Sequence, residues 1–89
     1  MEKEESPRIE YPCRYPIKIM GLDVDGYTEA ILTIVRKHAA DLKDEDIHFR
    51  PSRHGKYLAV NVMILATGEE QIRDIFDDLK ASGRVAMVL

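Results

Sequence analysis

Apolar and polar positions alternate along this chain with two periods, and the order in which the periods switch predicts the fold. Tyr15, Ile17 and Ile19 alternate with Pro16, Lys18 and Met20, the two-residue period of a strand, closed by Gly21. Ala30, Ile31, Ile34, Val35, His38 and Leu42 then recur at helical spacing, with Glu29, Thr33, Arg36 and Lys37 mostly off the stripe. They predict a helix over about residues 26–40. Ile47 and Phe49 face one way, His48 and Arg50 the other, in a short strand ending at Pro51, whose missing N–H suits a sheet edge. Ser52-Arg53-His54-Gly55 predicts a hairpin loop. The clearest strand follows: Leu58, Val60, Val62, Ile64 and Ala66 share the face that must be core, and Tyr57, Ala59, Asn61, Met63 and Leu65 share the other. Thr67 and Glu70 predict a capping box opening a second helix. Ile72, Ile75, Phe76 and Leu79 carry its stripe, and Gly83 stops it. Arg84 to Leu89 predicts a final strand.

Strand, helix, strand, strand, helix, strand is the order of an α+β, ferredoxin-like βαββαβ sandwich. One apolar stripe per helix places both helices on the same face of a four-stranded antiparallel sheet, and right-handed crossovers give strand order 4-1-3-2. Residues 1–10, charge-dense and containing Pro7, are expected to be a flexible tail, and residues 11–89 one domain. The uncovered sheet face is expected to carry Lys18, Met20, His48, Arg50, Tyr57, Ala59, Asn61, Met63, Leu65, Ala86 and Val88. That set is too apolar for a purely solvated surface, and exposed apolar patches mark contacts with a protein or ligand. Tyr57, Met63 and Leu65 are therefore the candidate interface, for self-association or for a protein partner.

Composition narrows the choices further. Eighty-nine residues at 45% hydrophobic make one domain with a small core. A net charge of −3 argues against nucleic acid. Cys13 is the only cysteine, which rules out an internal disulfide or a cysteine metal cluster and fits a reducing, cytoplasmic setting. No apolar run approaches the roughly 20 residues of a membrane span, and the charged Met1-Glu2-Lys3-Glu4-Glu5 start is unlike a signal peptide.

Candidate chemistry is sparse. His38 lies on a helix stripe, where packing explains it, and His48 and His54 lack a third metal donor beyond Asp46. Arg50, Ser52, Arg53 and Lys56 form a basic hairpin in an acidic chain. They and the loop amides could hold a phosphate or carboxylate, or the charges could simply blunt a strand edge. Asp25, or Asp23, is placed to cap the first helix. No serine, cysteine or paired-carboxylate constellation emerges. The expectation is a protein without enzymatic activity, cofactor or metal, with a small anion-binding enzyme as the weaker alternative.

Tyr15-Pro16-Ile17-Lys18-Ile19-Met20-Gly21, Ser52-x-x-Gly55-Lys56-Tyr57, His38-Ala39 and the terminal Met87-Val88-Leu89 resemble the YbeD-like family of small bacterial proteins, over about Tyr11 to Leu89. The resemblance implies a ferredoxin-like fold close to ACT regulatory domains, and a family loosely connected with lipoate metabolism through gene neighbourhood. ACT domains often bind an amino acid at the loop joining strand one to helix one. Here that loop offers Gly21, Asp23, Asp25 and Gly26, whose free amides could meet a carboxylate and whose aspartates could meet an ammonium. The implied effector is an amino acid or a lipoate-related acid.

Overall fold

The computed structural model describes residues 10–89, so the expected tail falls outside the described residues except for exposed Glu10. The chain forms β1 (Cys13–Leu22), α1 (Tyr27–His38), a 3₁₀ turn (Asp44–Asp46), β2 (Ile47–Pro51), β3 (Tyr57–Ala66), α2 (Glu69–Ala81) and β4 (Met87–Val88). The sheet is antiparallel with order β2-β3-β1-β4, which is the expected order read from the opposite edge.

Period-two alternation decides which face is covered. Ile17 and Ile19 of β1 and Val60, Val62 and Ile64 of β3 are buried. They form one core with Tyr27, Ile31 and Val35 of α1 and Ile75 and Leu79 of α2. Both helices thus lie on one side, and Pro16, Lys18, Asn61 and Met63 are left on the other.

β1 is longer than its alternation suggested, because pairing with β3 runs from Cys13 opposite Ala66 to Leu22 opposite Tyr57. It also admits a proline in a central strand. Lys18 exchanges both backbone bonds with Leu89, at 3.0 and 2.9 Å. Pro16, two residues earlier, therefore aims its missing N–H past Leu89, at a stretch of edge where no ladder bond is lost.

The core closes around Tyr27, the largest fully buried side chain. Its ring lies against Gly21. A Cβ on Gly21 would collide with the Arg84 carbonyl oxygen and stand 2.5 Å from a Tyr27 ring carbon. The Tyr27 hydroxyl sits 3.0 Å from the Leu58 carbonyl oxygen and 3.3 Å from that of Ile19, so one donor serves two strands. Burial, with the Asp23 charge adding to it, pushes the phenol above its ordinary pKa and keeps that donor protonated.

Both helix starts differ from the capping read in the sequence. The residue before α1 is Gly26 in the left-handed region at φ 83°, and no side chain caps the helix. The Tyr27 N–H bonds the Val24 carbonyl at 3.0 Å instead, so neither Asp25 nor Asp23 is the cap. A left-handed entry turns the chain sharply enough to lay Tyr27 back over β1, and glycine alone enters that region without a Cβ penalty. At α2 the residue before the helix is Gly68, not Thr67. The Thr67 N–H bonds Gln71 Oε1 at 2.8 Å, so the reach-back comes one residue later than Glu70. β4 is shorter than expected and of opposite parity. Met87 pairs with Met20 and Val88 with Ile19, so Met87 stands on the open face and Val88 on the core side.

The far ends of the helices are joined by polar bonds. His38 Nε2 lies 2.6 Å from Asp78 Oδ2, and Gln71 Nε2 donates to the His38 carbonyl oxygen at 2.7 Å. The His38 hydrogen bond holds the Asp78 carboxyl below its ordinary pKa; burial opposes the shift and Lys37, 3.5 Å away, assists it.

Two outcomes follow from this packing. In urea denaturation, Gly21→Ala should cost about 3 kcal/mol, the upper range for forcing a methyl into a packed core, while Tyr27→Phe should cost about 1 kcal/mol; equal small losses would show that the contact is slack. Asp78 titrates lower folded than unfolded, so its stabilisation is complete above the ordinary carboxylate range and fades as pH falls through its lowered value. Asp78→Asn should therefore flatten the acid loss of stability below about pH 4, read as melting temperature against pH.

Candidate functional site

Among the described residues no second layer covers the open sheet face, which is a surface of cross-strand rungs. Arg50 of β2, Ala59 of β3 and Met20 of β1 lie side by side, with Met87 beyond; His48, Asn61 and Lys18 form the next rung, with Leu89 beyond. Met63 lies opposite Pro16, and Leu65 opposite Arg14. Two hollows share Lys18 as a divider. One, about 420 Å³, has apolar Pro16, Met63 and Leu89 beside Asn61, His48 and the Arg14–Asp46 ion pair, whose atoms are 3.3 Å apart. The other, about 460 Å³, lies over Ala59 between Lys18, Met20, Arg50, Pro51, Ser52 and Arg53.

The candidate interface residues fall on this face but not at one spot. Met63 is half-buried at the first hollow and Leu65 is 45% exposed beside it. Tyr57, six residues earlier on the same strand, is about 20 Å away at 3.3 Å per residue. Its ring is occupied by the Lys56 ammonium, 5.6 Å from the centroid.

Of the candidate anion residues, Arg50, Ser52 and Arg53 line one hollow, and Lys56 leaves them for Tyr57. The loop amides proposed as donors are spent within the hairpin. The Ser52 N–H bonds the Tyr57 carbonyl at 2.8 Å, the Gly55 N–H bonds the Ser52 carbonyl at 3.0 Å, and Ser52 Oγ accepts the Tyr57 N–H at 3.1 Å. Lys18 takes the place of Lys56, and the hairpin sequence by itself carried no sign of it.

At the β1–α1 loop, Gly21 is buried under Tyr27 and serves packing, while Asp23, Asp25 and Gly26 are exposed. The Asp23 N–H is taken by the Lys56 carbonyl at 2.9 Å. A hollow of about 240 Å³ beside the loop is lined by Leu22, Val24, Tyr27, Gly83 and Arg84, not by the aspartates. Arg84 and the exposed Leu22 and Val24 are the residues sequence reasoning missed there. His48 and His54 are exposed, and among the described residues no three His, Cys, Asp or Glu side chains gather as metal ligands. Among the same residues, no helix is long and apolar enough to cross a membrane.

Comparisons with known proteins agree with this architecture. The family model described as a protein of unknown function (DUF493) matches residues 6–89. A UPF0250 protein of Azotobacter vinelandii is 45% identical over 86 residues, covering 96% of this chain and 94% of the relative. A UPF0250 protein of Hahella chejuensis is 45% identical over 87 residues, covering 98% and 96%. The solution structure of protein HP0495 from H. pylori superposes with a TM-score of 0.76 at 21% identity, over 96% of this chain and 89% of that one. The ACT domain from GTP pyrophosphokinase of Chlorobium tepidum superposes at 0.67 with 22% identity, over 86% and 97%. These two likenesses concern the fold alone. With its sequence relatives aligned nearly end to end and its sheet and helices arranged as in an ACT domain, the chain belongs to the DUF493 (UPF0250) family, the YbeD-like group its motifs resemble.

Proposed function

We propose that this chain is a non-enzymatic interaction module of the cytoplasm that works through its open sheet face. The observation that carries the reading is that Met63 and exposed Leu65 share a sheet face that no helix among the described residues covers, beside a 420 Å³ hollow lined by Pro16 and Leu89. Apolar side chains held on a rigid strand are already ordered, so burying them against a second surface costs little further entropy. A rim of mixed charge, Arg14 and Lys18 against Glu45 and Asp46, gives such a contact orientation. Association between two copies is the form tested directly. Sedimentation velocity on the wild-type chain should report an assembly larger than one chain, and Met63→Lys with Leu65→Lys should return it to monomer. A wild type that stays monomeric at every concentration, with the double variant identical to it, contradicts the reading.

A second reading rests on the 240 Å³ hollow at the β1–α1 loop, where Arg84 stands beside the left-handed Gly26 and exposed Leu22 and Val24. The arrangement suits a small effector with one carboxylate and an apolar body, such as an amino acid or a lipoate-related acid, and ACT-like architecture favours the same loop. Thermal denaturation with a panel of such acids is the test. At 100 times its Kd a ligand should stabilise the chain by about 2.7 kcal/mol, and Arg84→Gln should remove the shift; no shift across the panel contradicts it.

A further inference from the structure

We infer that the hollow over Ala59 is a binding site for a small multivalent oxyanion, one with two or more adjacent negative charges. Lys18, Arg50 and Arg53 converge on it from β1, β2 and the β2–β3 loop. The ion pairs among the described residues engage Arg14, Arg36, Lys37, His38 and Arg73, and none of these three. The chain has more acids than bases, yet among the described residues no acid lines this hollow. Three like charges lining one hollow, with no acid among the described residues in its wall, repel to the extent that salt does not screen them. A bound anion converts that repulsion into charge-assisted hydrogen bonds, and the two guanidinium forks suit planar or tetrahedral oxyanions.

Shape supports the same ligand class. The space exists because the central residue of the rung is alanine, between Arg50 on one strand and Met20 on the other. Ala59 is 2% exposed although it lies on the uncovered face, because the longer side chains around it rise above it as walls. At about 460 Å³ the cavity has the capacity of a small-molecule site. Single-stranded nucleic acid fits less well, since among the described residues no aromatic platform lines the hollow and the ring of Tyr57 is covered by Lys56. Met63 and Leu65 do not line this hollow, so the inference stands or falls apart from sheet-face association.

The test is a titration of the full ¹⁵N-labelled chain with pyrophosphate, citrate or sodium chloride at fixed ionic strength, followed by amide chemical shifts. Pyrophosphate or citrate should produce saturable shifts centred on residues 50–59, with chloride producing none; whichever binds more tightly assigns a phosphoryl or a polycarboxylate ligand. Arg50→Gln with Arg53→Gln should raise Kd about tenfold or more. Ala59→Leu keeps every charge and fills the floor, and should weaken binding comparably, with dispersed spectra confirming that each variant is folded. Shifts that never saturate, that chloride reproduces, or that persist unchanged in the folded Arg50/Arg53 variant overturn the inference. So does an RNA oligonucleotide that binds the same residues more tightly than pyrophosphate.

Discussion

The fold depends on a contact made possible by a missing side chain. Gly21 is the point where β1, the start of α1 and the segment after α2 meet. The Tyr27 ring and the Arg84 carbonyl both occupy ground that any Cβ would claim. Because Tyr27 also hydrogen-bonds Leu58 and Ile19, this one residue fixes α1 to β1 and β3 together. The left-handed turn at Gly26 is what allows the helix to begin there. At the opposite end, His38, Asp78 and Gln71 tie the two helices to each other. The helical layer is thus pinned at both ends on one face of the sheet.

The open face is the consequence of that pinning. β3 supplies Val60, Val62 and Ile64 to the core and, by the same alternation, Ala59, Asn61 and Met63 to the opposite face of the sheet. The surface is divided along its length. Toward the Arg14 end it is apolar, with Pro16, Met63 and Leu65; toward the β2–β3 hairpin it is cationic around Ala59. Lys18, Arg50 and Arg53 share one hollow of the open face, while α2 on the other side of the sheet carries Glu69, Glu70, Asp74, Asp77 and Asp78, a local asymmetry of charge that orients whatever approaches.

Much of this was legible in the sequence where a residue's role follows from its neighbours in the chain. The alternation in β3 and the Ile72–Leu79 stripe reveal element type and covered face, because burial on one side enforces one period, and strand order follows from the handedness of the crossovers. Tyr27 falls inside the predicted helix but was left off its apolar stripe, although it sits four residues before Ile31 and eight before Val35; its burial shows only once the ring is seen to need Gly21. The aspartate cap failed because tertiary packing of Tyr27 set the entry angle of α1 and outweighed local capping preference. Parity in β4 failed because two residues hold no period of their own, and the Lys18–Leu89 exchange set the register. Lys18 and Ala59 could not be joined to Arg50 and Arg53 without knowing which rungs adjoin.

The contact at Gly21 is also the most direct place to test the account. A two-dimensional NOE spectrum of the folded chain should show cross-peaks between the Tyr27 ring protons and the Gly21 α-protons, with the α-protons displaced by the ring current. A Gly21 with ordinary α-proton shifts and no contact to Tyr27 would mean that α1 is not held to β1 in this way, and the one-sided sheet built on that contact would fall with it.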